Sequence, residues 1–250
     1  MKIIKRIAMW SGPRNLSTAL MRSFGNRGDF EVIDEPFYAS YLKETGLRHP
    51  MYKEILKSRI SNHNFISKFC SNGPVGKPYQ YQKHMTHHML DNFNKDFIFS
   101  VTNVFLIRRP DLVLMSFKKK HKEYEFNDLG FRQQFELFEL VADKLGHAPP
   151  VVDSNDLINN TKGILKKLCS TIEIRFLESM LSWNPGPKSY DGIWGRHWYS
   201  EINKSSRFRV GSIEKKPLNI TVPMSSKELG IIEIATKYYN ELQKIKIKAN

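Results

Sequence analysis

Short apolar runs bounded by turn residues alternate along this chain with stretches in which apolar positions recur every three or four residues. The first rhythm is that of buried strands and the second that of helices packed on them. The run Ile3 to Trp10 predicts a strand. Leu16, Leu20 and Phe24, four residues apart, predict a helix that Gly25 closes. Phe30 to Asp34 predicts a second strand, and residues 37–60 a helical stretch broken near Gly46 and Pro50. Residues 61–78 are polar, with Gly73-Pro74 and Gly76-Lys77-Pro78, and predict a loop that shapes a pocket. Tyr79 to Lys83 alternates as a strand does, and Val101 to Ile107 is a continuous apolar run of the kind that fills a parallel sheet. Further helices are expected from Leu112, over 128–146 with Phe131, Phe135, Phe138, Ala142 and Leu145 on one face, and from Ser225 to Ile245. Val151 to Asp153 predicts a strand, followed by a helix capped by Asp156 or Thr161 and another from Arg175 to Trp183. The alternation predicts an α/β fold with a central parallel sheet flanked by helices.

Chemistry concentrates where predicted strands end. Between the first strand and helix lies Ser11-Gly12-Pro13-Arg14-Asn15-Leu16-Ser17-Thr18. Such a loop aims backbone N–H groups and a helix N-terminus at one point, which favours an anion. It is not a Walker A loop, because Ser17 stands where the second Gly-Lys would begin. The plain alternative is an ordinary strand-to-helix turn. Glu35 follows the second strand and precedes Pro36, where a carboxylate faces a cleft or stabilises the next helix start. Lys83-His84-Met85-Thr86-His87-His88 holds three histidines, without the Glu or Cys that a zinc site of this spacing uses. A general base, an anion ligand or a structural helix start fits better. Arg108-Arg109-Pro110-Asp111 again puts arginines at a strand end beside a helix start, as an anion site or a surface ion pair. Residues 184–209, with Trp194, Trp198, Tyr199, Lys204, Arg207 and Arg209, read as a nucleotide lid or as a loop pinned by its tryptophans.

Composition adds limits. The chain has 250 residues, 40% of them hydrophobic, enough for the single domain over 1–250 that we expect. No run approaches the ~20 apolar residues of a membrane span, and no membrane partner is expected. Cys70 and Cys169 form no framework, which points to a reduced, cytoplasmic protein. The net charge of +14 is scattered, so it signals an anionic ligand more than a nucleic-acid partner.

Three stretches resemble the sulfotransferase family, which uses 3′-phosphoadenosine 5′-phosphosulfate. Ser11 to Thr18 looks like that family's 5′-phosphosulfate loop. Phe105-Leu106-Ile107-Arg108-Arg109-Pro110 through Ser116 looks like its 3′-phosphate motif, with Arg108 and Ser116 at the family spacing. Asp191 to Arg209 occupies the place of its third cofactor-contacting segment. The look is closest to bacterial sulfotransferases labelled as branched-chain-aminotransferase-like, through Asp34-Glu35-Pro36-Phe37-Tyr38 and His197-Trp198-Tyr199. The resemblance implies a P-loop-type three-layer fold and donor contacts from Gly12, Pro13, Arg14, Asn15, Ser17, Thr18, Arg108, Ser116, Trp194 and Arg207. It implies His84 or Glu35 as the base, with Lys83 and Arg14 assisting and His87 and His88 as weaker candidates. It implies adenosine 3′,5′-bisphosphate as product, no metal, no nucleic acid, and a small-molecule or glycan-like acceptor. Two features depart from the family. Arg14 stands where the cytosolic members have Lys, and the third segment lacks their Arg-Lys-Gly triplet. The rival readings are a P-loop-like nucleotide kinase or hydrolase and a basic nucleic-acid-binding protein.

Overall fold

The computed structural model describes residues 4–208 and 224–249. Its centre is a five-stranded parallel sheet in the order β2-β3-β1-β4-β5. In chain order the strands are β1 (Lys5–Ser11), β2 (Phe30–Asp34), β3 (Tyr79–Met85), β4 (Thr102–Ile107) and β5 (Val151–Asp153). The helices are α1 (Ser17–Gly25), α2 (Tyr38–Thr45), α3 (Tyr52–Ser58), α4 (His63–Asn72), α5 (Pro110–Phe117), α6 (Phe131–Leu145), α7 (Ser154–Asn159), α8 (Thr161–Thr171), α9 (Gly195–Trp198) and α10 (Ser226–Lys244).

Alternation along each strand splits the core into two layers. Ile7, Met9, Tyr81, Val104, Leu106 and Val152 face one way, onto Leu20 and Phe24 of α1 and Leu165 and Leu168 of α8. Ala8, Trp10, Phe105, Ile107 and Val151 face the other, onto Leu137, Phe138 and Val141 of α6 and Tyr239 and Leu242 of α10. Both faces of the sheet are therefore covered, which is why its strands read as unbroken apolar runs. The arrangement is the expected α/β one, three layers deep.

Several local expectations are corrected. Residues 61–78 are not a loop throughout: Asn62 accepts from the Phe65 N–H and starts α4, whose Ile66 and Cys70 are buried. The stretch Arg175 to Trp183 forms only a short 3₁₀ turn, Glu178–Leu181. The cap of α8 is Asn160, which accepts from the Gly163 N–H, and not Asp156 or Thr161. In α6 the buried face runs through Gln134 and Leu137, while Leu145 is exposed. The C-terminal helix is as expected, opened by a reciprocal pair between Ser225 and Glu228. Among the described residues no helix is long and apolar enough to cross a membrane.

Candidate active site

Open parallel sheets bind ligands outside the carboxyl ends of their strands. Here the ends of β1, β2, β3 and β4 border a cavity of about 850 Å³. The loop after β1 forms one wall. Arg14 and Leu16 hold left-handed backbones in it, at φ 63° and 66°. Each costs about 1–2 kcal/mol for a residue with a Cβ, so the surroundings must impose them.

Those surroundings are visible. A Cβ on Gly12 would stand 2.4 Å from the Leu129 carbonyl oxygen, so the loop lies directly against the chain before α6. The Gln134 side chain, 2% exposed, donates to the Leu106 carbonyl at 2.8 Å and accepts from the Gly12 N–H at 3.4 Å. Asn15 donates to the same Leu106 carbonyl, and Ser154 Oγ lies 2.7 Å from the Asn15 carbonyl and 2.8 Å from that of Ile107. The loop is thus tied to the end of β4 from three sides. Pro13, Arg14, Ser17 and Thr18 line the cavity, whereas the Asn15 side chain turns inward as a brace and Gly12 acts by its closeness.

The two predicted anion motifs meet. Arg14 Nε donates to Ser116 Oγ at 2.8 Å, and Arg108 Nη1 donates to the Arg14 carbonyl at 2.6 Å. Arg14 has no carboxylate within ion-pair distance among the described residues. Burial, and after it the charge of Arg108, lowers its pKa from the usual arginine value. Two neighbouring guanidiniums repel each other, which favours an anion beside Arg14. Arg109 plays no part in this: it forms an ion pair with Asp111 at 2.6 Å.

The opposite wall carries a carboxylate cluster. Lys83 is 1% exposed, and its Nζ donates to Glu35 at 2.5 Å, to Tyr199 at 2.7 Å and to Asp34 at 3.1 Å. Asp34 also accepts from the Gly192 N–H and the Tyr199 hydroxyl, each at 2.9 Å. Glu35 sits at the cavity with a left-handed backbone, φ 40°. Burial raises its pKa, Lys83 opposes that rise and the Asp34 charge adds to it. For Lys83 burial acts downward, but Asp34, Glu35 and Tyr199 outweigh it and the ammonium is held well above its ordinary value.

His84 is elsewhere, which corrects its reading as a cavity-facing base. It lies within β3 on the opposite face of the sheet, 2% exposed, stacked on Trp10 with ring centroids 4.3 Å apart. Burial depresses its pKa to about 3. His87 and His88 do line the cavity, joined by His49 and His121. Trp194 is also displaced from its expected role: it is 1% exposed in the core, edge-on to Tyr38. Trp198 lines the cavity in its place, and Arg207, also expected among the donor contacts, lines it too. Trp198 stacks on His121, which stacks in turn on Phe117 at 4.0 Å. Residues 61–78 contribute nothing to the lining, and Arg209 lies outside the described residues.

A family model for the sulfotransferase domain matches residues 1–224. The chain belongs to the sulfotransferase-domain family. Branched-chain-amino-acid aminotransferase-like proteins 2 and 1 of Arabidopsis thaliana are 35% and 36% identical to it over 237 residues, which is 95% of this chain. The chain spans 41% of the length of each. The solved sulfotransferase domain of the Synechococcus PCC 7002 olefin synthase superposes with a TM-score of 0.56 at 17% identity, over 95% of this chain and 96% of that one. The second likeness is one of fold.

The contacts of four residues in this sulfotransferase domain were not expected from the sequence. Gln134 had a signal, a polar residue within the apolar face of an amphipathic helix. Asp34 had a weaker one, an acid at a strand end beside Glu35. Ser154 had none, and Tyr199 was legible only as an aromatic of the 184–209 segment, because its bonds to Asp34 and Lys83 are decided by tertiary contact alone. Among the described residues no three or more His, Cys, Asp or Glu side chains are grouped to hold a metal ion.

Proposed function

We propose that this sulfotransferase domain moves a sulfuryl group from 3′-phosphoadenosine 5′-phosphosulfate to a hydroxyl or amine of a small-molecule or glycan-like acceptor. The convergence of Arg14, Arg108 and Ser116 on a cavity that also exposes Glu35 carries the reading. The residues fit such a donor. One side offers guanidiniums, hydroxyls and the start of α1, and a cavity of about 850 Å³ lies within the range that encloses ligands. When bound, the donor supplies a sulfuryl group: the acceptor's oxygen or nitrogen bonds to sulfur as the bridging S–O bond breaks, and that bond's electron pair leaves on the 5′-phosphate.

The chain's own residues position the partners and meet the charge. Arg14, Ser17 and Thr18 hold the 5′ end, and Arg14 offsets the negative charge growing on the departing phosphate. An arginine does this without giving up a proton, unlike the lysine of the cytosolic members. Arg108 and Ser116 hold the 3′-phosphate. Trp198 offers a ring face to the adenine, and Arg207 a further cation. Glu35 takes the acceptor's proton on its carboxylate, and its raised proton affinity suits that task. Lys83 holds Glu35 in place at 2.5 Å.

A melting-temperature comparison tests the reading. Adenosine 3′,5′-bisphosphate at a hundredfold excess over Kd adds about 2.7 kcal/mol of stability, read as a rise of several degrees. AMP at the same concentration gives a smaller rise, and Arg108→Ala removes the difference. Arg14→Ala abolishes transfer from labelled donor. Equal responses to bisphosphate and AMP, Mg²⁺-dependent ATP turnover, or salt-sensitive oligonucleotide binding in their place overturn the proposal.

A further inference from the structure

The ammonium of Lys83 has as many hydrogen-bond partners as it has N–H groups, and only one of them faces the reaction. Its Nζ meets Glu35 at 2.5 Å, the Tyr199 hydroxyl at 2.7 Å and Asp34 at 3.1 Å. A lysine donates three such bonds and accepts none, so every donor is in use. The Tyr199 oxygen accepts from Lys83 and gives its own proton to Asp34, lying 2.9 Å from each carboxylate oxygen. Asp34 Oδ2 takes a further bond from the Gly192 N–H at 2.9 Å. The Asp34 side chain is closed to solvent, so these donors alone meet its charge, whereas Glu35 opens onto the cavity.

Two carboxylates thus compete for one ammonium, and each makes the other harder to ionise. The Tyr199 hydroxyl decides the share. It supplies Asp34 with a donor of its own, and the shortest contact of Lys83 is the one to Glu35. The other titratable groups around this circuit leave the balance to these four. Tyr38 on α2, Tyr81 on β3 and Tyr190 are held neutral, burial raising the pKa of each. Burial also keeps His88 uncharged. Arg22 of α1, with its guanidinium 5.8 Å from the Tyr199 ring centre, is paired with Asp191.

We propose that Asp34 and Tyr199 are positioning residues for the transfer and act through Lys83: the Tyr199 hydroxyl occupies Asp34, which turns the ammonium to Glu35 and keeps that carboxylate ionised for the acceptor. The inference rests on the sulfuryl-transfer reading. As the acceptor's oxygen or nitrogen bonds to sulfur, its proton passes to Glu35, and the electron pair of the broken S–O bond leaves on the donor's phosphate. Asp34, Lys83 and Tyr199 neither gain nor lose a proton in that step.

The two residues pull on Glu35 in opposite senses. Tyr199→Phe keeps the ring and deletes the hydroxyl. Asp34 then draws on Lys83, and Glu35 also loses the favour that this hydroxyl lends its ionised form. Glu35 therefore keeps its proton to higher pH, by about one unit. Asp34→Asn removes the rival charge and leaves the ammonium to Glu35, which then gives up its proton at lower pH. A general loosening of the wall does not move the two variants apart in this way.

The test is a carbon NMR titration of the Glu35 carboxyl in the full chain, labelled at the glutamate carboxyl carbon, with Glu35→Gln to assign the signal. Tyr199→Phe moves the midpoint up and Asp34→Asn moves it down, each by about one pH unit. With labelled donor and methyl glucoside or phenol as acceptor, whichever is turned over, the acid limb of kcat/KM moves with the midpoint. Should either variant not fold, the sign of the other's shift decides. Midpoints that stay put, or that move the same way in both variants, overturn the proposal. Adenosine 3′,5′-bisphosphate separates the two readings. A parent protein whose melting temperature ignores it refutes sulfuryl transfer, whereas an unmoved Glu35 in protein that responds to it refutes this inference alone.

Discussion

Replacing Glu35 by Gln separates what this residue does for chemistry from what it does to stability. Its carboxylate and that of Asp34 share one ammonium, Lys83 Nζ, at 2.5 and 3.1 Å. The Glu35 side chain is only 11% exposed, and burial leaves its native pKa raised above about 4.5. The native state therefore holds the Glu35 proton more tightly than the unfolded chain does. Stability linked to this group is present below the unfolded pKa and is lost as pH rises through the native one. Each pH unit of that displacement amounts to about 1.4 kcal/mol. Gln keeps an oxygen for Lys83 and has no charge to bury. Glu35→Gln should therefore match the parent near pH 4 and exceed its stability near pH 8. The gap in melting temperature should widen by about 2–4 °C for each kcal/mol. Turnover should move the other way, down by about 10²–10⁴. Thermal melts across that pH range, with labelled-donor assays on the same samples, read both. A variant less stable than the parent near pH 8 refutes the electrostatic argument, and undiminished turnover removes Glu35 as the base.

His84→Ala provides the contrast. Losing a buried ring stacked on Trp10 should cost about 3 kcal/mol in a denaturant melt while the folded fraction turns over as before; lost turnover in fully folded protein would restore His84 as the base. Gln134→Leu leaves the Gly12 N–H and the Leu106 carbonyl without their brace, so stability should fall by about 1–3 kcal/mol and the bisphosphate-induced rise in melting temperature should shrink. An unchanged rise would show that the loop holds its shape unaided. His87, with a native pKa of about 3 against 6.5 unfolded, contributes stability that is present above about pH 6.5 and lost as pH falls. Urea melts should therefore show steeper acid sensitivity in the parent than in His87→Gln, and identical slopes would contradict the buried, neutral state of that ring.

What could be read from the chain was local. The loop after β1, the arginine at the end of β4 and the capped start of α10 each rest on neighbouring residues, and each stands where its spacing put it. Placement of His84 depended on parity. β3 extends two residues past Lys83, to Met85, so Lys83 and His84 point to opposite faces, and only the lysine reaches the cavity. α4 carried a signal, with Phe65, Ile66, Phe69 and Cys70 at helical spacing, but the Gly73-Pro74 and Gly76-Lys77-Pro78 turns beside it masked that signal; Ile66 and Cys70 are the two that pack into the core. Trp194 and Trp198 are indistinguishable as aromatics four residues apart. Packing alone sends one to the core and the other to the cavity wall.

The bond network at Asp34 bears on how this protein could diverge or be re-engineered. Residues 183–206 form a closed excursion whose two ends are joined by the Trp183 N–H to Ser206 carbonyl bond, 2.8 Å long. Those ends are natural junctions for exchanging the wall between homologous chains. The excursion is nevertheless no free module. Asp191 is paired with the buried Arg22, and Gly192 and Tyr199 both donate to Asp34. A graft without a hydroxyl at position 199 strips Asp34 of a donor and sets it in competition with Glu35 for Lys83. Exchanging this segment thus changes the proton affinity of Glu35 as well, unless Asp191, Gly192 and Tyr199 travel with it.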